Sequence, residues 1–457
     1  MAGAARSKLG AARVIGFTVG DFAFNLYWQS ISLYLLFFYT DAVGLSAGTA
    51  GLIYMIASIF DATIDPLMGA LADRTRTRWG RYRPYLLFGG PFVAVAFVLL
   101  YYKPALAGSS LAAWMLATHV LFRIAYTVVS IPYTAMTARI TPSSGERGSI
   151  AGARIIFATL AGLTVAVTTQ PLAAHFGGAP DSPHGYLIAA VLFAAVATVI
   201  FPIVFAATRE PDDDVKEVVP HNLGEYWQAL KGNRALWTML AAVCAGVMCS
   251  TALGKSMLYY FKYYLHDEAQ ARIALSLCAA SGLIIVPVWM IVTRWIGKRN
   301  ACLVAVVWGL AGLAWFAVVD VRSVALAIGF FLWMQVTGLG LALGFWSILP
   351  DTVEYGEWRS GRRTESFVFG LGQFFLKVAL GLGAGLFGWL LGLIGYHANV
   401  AQSAETLARM KVLMTALPAL GLVIAGIAMF FYPLRGKRHD EIVEELEAQR
   451  RVVAGEA

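Results

Sequence analysis

Charge is what this chain has least of. Only 14% of its 457 residues are Asp, Glu, Lys or Arg, while 59% are hydrophobic. A soluble domain averages roughly 25% charged residues. With a mean hydropathy of +0.67, this excludes a soluble globular protein. Cysteine is scarce as well: Cys244, Cys249, Cys278 and Cys302 lie within or beside apolar stretches, and no pair has metal-ligand spacing. A disulfide framework is not implied, and the four read as small packing residues. There is no Walker-type phosphate loop, which leaves direct use of ATP unsupported. There is no nucleophile–base constellation, so an enzyme is not expected. The histidines fall mainly in loops. His119 is the exception; it stands alone in an apolar run and reads as a helix–helix hydrogen bond. The start of the chain, Met1 to Arg13, is short, Ala-rich and basic, and the apolar run behind it is too long and too aromatic for a cleavable signal.

What is there is apolar length. Twelve runs recur, at roughly 13–40, 49–72, 85–103, 110–137, 149–170, 185–207, 234–266, 271–296, 301–319, 323–347, 365–395 and 407–433. As helices they are long enough to span a hydrocarbon core of about 30 Å. The net charge of +8 follows from arginine and lysine gathered in alternate loops, the positive-inside pattern. Arg74, Arg76, Arg78, Arg81 and Arg83 follow the second run, and Arg359, Arg362 and Arg363 follow the tenth. Both termini are therefore expected on the cytoplasmic side of a bacterial inner membrane. The basic pI has its explanation in the bilayer, and nucleic acid is not an expected partner.

A polar stretch divides the chain. The expected organisation is a six-helix bundle over 1–207, a cytoplasmic middle loop over 208–233, a second six-helix bundle over 234–433 and a charged, solvated tail over 434–457. The halves echo each other. Arg78-Trp79-Gly80-Arg81 after run two is answered by Arg294-Trp295-Ile296-Gly297-Lys298 after run eight. Basic loops in matching places are what a repeat of six helices predicts. Small-residue spacings such as Gly381, Gly383, Gly385 and Gly388 suit close helix packing.

Within the apolar runs, Asp61 and Asp65 stand out. A charge at the bilayer centre costs roughly 2.5–3.5 kcal/mol even on permissive scales. At i and i+4 the two carboxylates share one face of a helix. Two anionic oxygen donors in a dry pocket suit a proton or a small hard cation. Five more ionisable residues look buried: Asp21, Arg123, Arg154, Lys255 and Lys377. A cross-helix ion pair between Asp21 and Arg154 is feasible. For Arg123 and Lys255 a structural or snorkelling role weighs as much as a functional one. Lys377 lies at a depth similar to the aspartates and is expected to neutralise them when no cation is bound. Tyr27, Trp28, Tyr126, Tyr133 and Trp346 offer aromatic faces. Asp21, Asn25, Gln29, Arg154 and Gln373 offer a polar rim. Together these suit a sugar, which has an apolar C–H face and a ring of hydroxyls.

Two segments go further. Asp61-Ala62-Thr63-Ile64-Asp65-Pro66-Leu67-Met68-Gly69 and Arg76-Thr77-Arg78-Trp79-Gly80-Arg81-Tyr82-Arg83-Pro84 resemble the second helix and following loop of the glycoside–pentoside–hexuronide:cation symporters. That group is the melibiose-permease-like branch of the major facilitator superfamily. Asp21-Phe22-Ala23, Phe38-Tyr39-Thr40-Asp41, Pro350 to Glu357 and Ile394 to Asn399 look like family segments too. The resemblance implies an all-α membrane protein of twelve transmembrane helices in two pseudo-symmetric six-helix bundles. It implies that Asp61 and Asp65 hold the coupling cation with Thr127. It places Asp21, Tyr126, Arg154, Gln373 and Lys377 where sugar-site or coupling residues lie. Asn25, Ser130 and Trp346 join the candidate substrate set.

Two departures matter. The melibiose-type pattern has Asp where this chain has Ser130 and Trp where it has Thr134, so melibiose itself is not the expected substrate. Sodium-using relatives carry Asn where this chain has Ile64. Losing an oxygen ligand weakens a sodium cage but not a proton site. H⁺ is therefore expected over Na⁺, with no other cofactor and with a monomer as the working unit. The expected activity is cation-coupled symport of a sugar or glycoside by alternating access. Asp73, Arg74, Glu357 and Arg363 are expected to form ion pairs between the halves that close the cytoplasmic side. Two rival readings are a sodium-coupled carrier of an amphipathic lipid, which needs an apolar cavity, and a sugar sensor that moves nothing, which needs an output domain.

Overall fold

A computed structural model describes residues 11–140, 144–208, 230–361, 365–435 and 438–454. Helices dominate because apolar runs in a bilayer must satisfy every backbone N–H and C=O internally. They are α1 (Ala11–Ser30), α2 (Ala47–Arg74), α3 (Arg83–Leu100), α4 (Gly108–Ile140), α5 (Ser144–Gly177) and α6 (Pro183–Ala207), then α7 (Arg234–Tyr259), α8 (Glu268–Ile296), α9 (Lys298–Val318), α10 (Val324–Ser360), α11 (Glu365–Leu393), α12 (Ala404–Phe430) and α13 (Arg438–Ala454). Helical turns continue α1 through Ala42 and α7 through Tyr264, partly as π-helix. Among the described residues, eleven helices are long and apolar enough to cross a membrane. Together with α1, carried on to Ala42, they account for the twelve runs.

Local sequence sets the ends. Ser46, Ser182 and Ser403 each accept a hydrogen bond from a backbone N–H three residues on, which caps α2, α6 and α12. Gly361, at φ 67°, closes α10 in the left-handed conformation. Gly185 permits a close approach: a Cβ there would lie 2.2 Å from the carbonyl oxygen of Ala173, so α5 and α6 touch backbone to backbone.

The chain divides into two compact units. One comprises Met1–Val215 with His397–Asn399, the other Lys216–Tyr396 with Val400–Ala457. Five helix pairings recur in both. In the first unit α1 packs on α5 and α6, α2 on α4, and α3 on α4 and α6. In the second α7 packs on α11 and α12, α8 on α10, and α9 on α10 and α12. These five pairings recur in the same order in both units, as the matching basic segments anticipate, while the close packing of α5 on α6 and of α7 on α10 has no equal in the other unit.

Three expectations need correction. Charged segments expected as loops are helical: Asp73 and Arg74 end α2, and Glu357 lies in α10. Hydropathy falls where the membrane ends, but backbone hydrogen bonding carries a helix on into water. Between α8 and α9 the expected basic loop shrinks to Gly297 (φ 80°). The tail is solvated on one face only: Asp440, Glu441, Glu444 and Glu445 are exposed. α13 buries Ile442 and Leu446 and packs on α10, with Trp358 Nε1 donating to Glu445 at 2.6 Å. At its start His439 Nε2 lies 2.6 Å from Glu354 and 3.6 Å from Asp351. These three side chains converge as metal ligands would, but Lys298 Nζ already contacts both oxygens of Asp351, at 2.7 and 2.8 Å. The cluster is a polar clasp.

Candidate substrate and cation sites

The first unit holds two acidic centres, both built against α4. One forms where α2 meets it. Asp61 and Asp65 lie one turn apart on α2, while His119, Arg123 and Thr127 lie at successive four-residue steps on α4. Each set therefore lines one stripe of its helix. Thr127 Oγ1 is 2.9 Å from Asp61 Oδ1 and 3.2 Å from Asp65 Oδ1. One hydroxyl proton thus serves two carboxylates. The Asp61 half is dry, with Asp61 1% exposed and Thr127 fully buried, whereas Asp65 is half-buried.

Asp61 also has a fixed counter-charge. Arg123 Nη1 stands 3.3 Å from Asp61 Oδ2. Its Nη2 donates to Ser58 Oγ at 3.4 Å and its Nε to His119 Nε2 at 3.3 Å. An arginine nitrogen only donates, so His119 Nε2 accepts, with the ring proton on Nδ1. The guanidinium lies over the rings of Trp28 (5.3 Å) and Tyr54 (5.9 Å). Buried at 3% exposure, Arg123 does not snorkel. Its link to Asp61 escapes a reading of Arg123 alone. The signal is the four-residue step to Thr127, which puts both side chains on the face that meets α2.

The second centre joins α1, α4 and α5. Arg154 Nε is 2.9 and 3.1 Å from the two oxygens of Asp21, so the cross-helix ion pair is present. Tyr133 donates to Asp21 Oδ2 at 2.6 Å and lies 3.0 Å from the Phe17 carbonyl, and its ring faces the Arg154 guanidinium at 5.3 Å. Pairing and hydrogen bonding make two charges tolerable in an apolar setting. Asn25 Nδ2 donates to the Asp21 carbonyl on its own helix, at 2.8 Å. Tyr126, beside Thr127 on α4, is edge-on to Phe24 and inclined to Trp28. Ser130 follows one turn on and is half-buried.

The remaining candidates belong to the second unit. Trp346 is on α10 and 48% exposed; on α11, Gln373 is exposed and Lys377 half-buried. Glu357 is half-buried on α10. Of the other expected closing residues, Arg363 lies outside the described residues, as do the side chains of Asp73 and Arg74.

Comparison with known proteins agrees with this architecture. The MFS/sugar transport protein family matches residues 16–436. The isoprimeverose transporter of Lactiplantibacillus pentosus is 32% identical over 441 residues, covering 94% of this chain and 90% of that protein. A glucuronide carrier protein homolog of Escherichia coli (strain K12) is 29% identical over 446 residues, covering 96% of each. Among solved structures, an inward-facing bacterial homolog of the human lysosomal transporter Spinster superposes with a TM-score of 0.67 at 12% identity, covering 93% of this chain and 97% of that one. At that identity it speaks for the fold alone. The chain is an integral membrane transport protein, not an enzyme, and belongs to the sugar-transport branch of the major facilitator superfamily that includes the glycoside–pentoside–hexuronide symporters.

Proposed function

We propose that the protein imports a sugar or glycoside across a bacterial inner membrane by cation-coupled symport, with H⁺ as the coupling ion. One observation carries the reading: the Thr127 hydroxyl joins the buried Asp61 and the half-buried Asp65, at 2.9 and 3.2 Å. Two carboxylates and a hydroxyl so placed bind a small cation or a proton and little else. Ile64, a side chain with no oxygen beside this site, favours the proton. The Asp21–Arg154–Tyr133 group provides charged and aromatic surface for a polyhydroxylated ligand. The family resemblance adds Tyr126, Gln373 and Lys377 to the substrate set, and side-chain chemistry adds Asn25, Ser130 and Trp346. Both termini are taken as cytoplasmic, and one chain as the working unit.

Cation and sugar would each raise the other's affinity, since linkage is reciprocal. Alternating access would then carry both across. The relatives named for isoprimeverose and glucuronide support a pentose-containing glycoside or a hexuronide as the substrate class. The test is uptake of a labelled panel of such sugars into proteoliposomes, under an imposed proton gradient and, separately, a sodium gradient. Accumulation with the proton gradient alone is expected. Accumulation with sodium alone would overturn the choice of ion, and accumulation with neither would overturn symport.

A further inference from the structure

We propose that Arg123 is a tethered cation: it occupies the Asp61 half of the carboxylate pair and so sets the ion specificity of the site. This deepens the symport reading and rests on it.

Arg123 is firmly held. All three guanidinium nitrogens have partners, in Asp61, Ser58 and His119. Trp28 and Tyr54 cover its faces. Aromatic stacking adds to a cation's stability once it is desolvated. The guanidinium is therefore part of the site's wall.

The oxygens of Asp61 are committed as a result. Oδ1 accepts from Thr127, and Oδ2 faces Arg123. Sodium needs a cage of several oxygens. Here one wall of that cage is a positive charge, and the neighbouring Ile64 offers no oxygen. Asp61 thus has one positive partner built into the protein, and a proton, unlike sodium, needs no oxygen cage. An alkali ion bridging both aspartates would sit against a like charge that cannot move away.

Removing that charge should open the site. Arg123→Gln keeps hydrogen-bonding capacity but leaves Asp61 without its fixed partner, so a mobile cation takes the place. Melting of the purified full-length protein in NaCl or LiCl, against choline chloride at equal ionic strength, reads this directly. Wild type and Arg123→Lys should show no sodium-dependent shift. Arg123→Gln should rise by about 2–4 °C in a saturable way, and Asp61→Asn/Arg123→Gln should lose that rise. A sodium-dependent rise in wild type would overturn the proposal, as would a folded Arg123→Gln protein that ignores sodium. Should Arg123→Gln not fold, wild type and Arg123→Lys carry the test: sodium response in either overturns it, and indifference in both supports it. Proton-driven uptake by wild type is measured separately. Its absence would remove the symport reading while leaving the cation-binding result to be read by itself.

Discussion

Asp21 and Arg154 lie 133 residues apart in the chain, yet Arg154 Nε stands 2.9 Å from Asp21 Oδ2. The pair bolts α1 to α5, and Tyr133 of α4 completes it. Removing one partner leaves a charge without compensation, at a cost of about 3–5 kcal/mol. Arg154→Ala and Asp21→Ala should each melt well below wild type. Asp21→Asn/Arg154→Gln, which removes both charges, should regain a large part of that loss while uptake stays absent. Equal melting of single and double variants would show that the pair does not couple the helices.

The two cation-site aspartates should differ. Asp61→Asn strands Arg123 in a dry site and should destabilise by about 3–5 kcal/mol. Asp65→Asn should fold more nearly as wild type does. It should lose gradient-driven accumulation yet keep sugar exchange across the membrane. Accumulation against comparable counterflow, measured in the same proteoliposomes, checks this.

Thr127→Ser keeps the bridging hydroxyl and should retain uptake. Thr127→Val leaves two carboxylates facing each other without their shared donor, at about 1–3 kcal/mol. The apparent affinity for the coupling ion should fall by about tenfold or more. A Val variant that matches wild type in the pH dependence of uptake would remove Thr127 from the site.

Gly185→Val forces a side chain into the backbone of α5. Overpacking of this kind costs about 1–3 kcal/mol, and Gly185→Ala should already lower the melting temperature. Neither change alters a polar group in the two acidic centres, so any surviving folded protein should keep its ion preference.

Ile442→Asp puts a charge where α13 is fully buried. The tail helix should undock and become the first segment cleaved in limited proteolysis. Core melting should change little, because the helix pairing of the second unit lies elsewhere.

Much of this was legible from the residue order. Apolar length locates the spans, because a bilayer enforces helices of a set minimum length. The four-residue step from Asp61 to Asp65 puts both carboxylates on one face. The charges of Asp21 and Arg154 ask for each other once both are inside the membrane. The rest depends on which helices touch. Arg123 weighed alone is ambiguous; only the meeting of α2 and α4 makes it a partner of Asp61. The tail looked solvated because Asp440, Glu441, Glu444 and Glu445 dominate it, whereas Ile442 and Leu446, four apart, are what dock. α10 outruns its apolar stretch because helix geometry, unlike hydropathy, does not stop at the headgroups.

α10 spans 37 residues, so it is about 55 Å long against a hydrocarbon core of about 30 Å. Its surplus, from Asp351 onward, is the polar part clasped by α13. The helix is therefore a lever whose long arm is the apolar stretch and whose short arm is packed against α13. A tilt of about 10° would swing a short arm of about 15 Å through about 3 Å. The tail helix would ride on that swing, so a fluorophore on α13 would turn motion inside the membrane into a signal read from outside it.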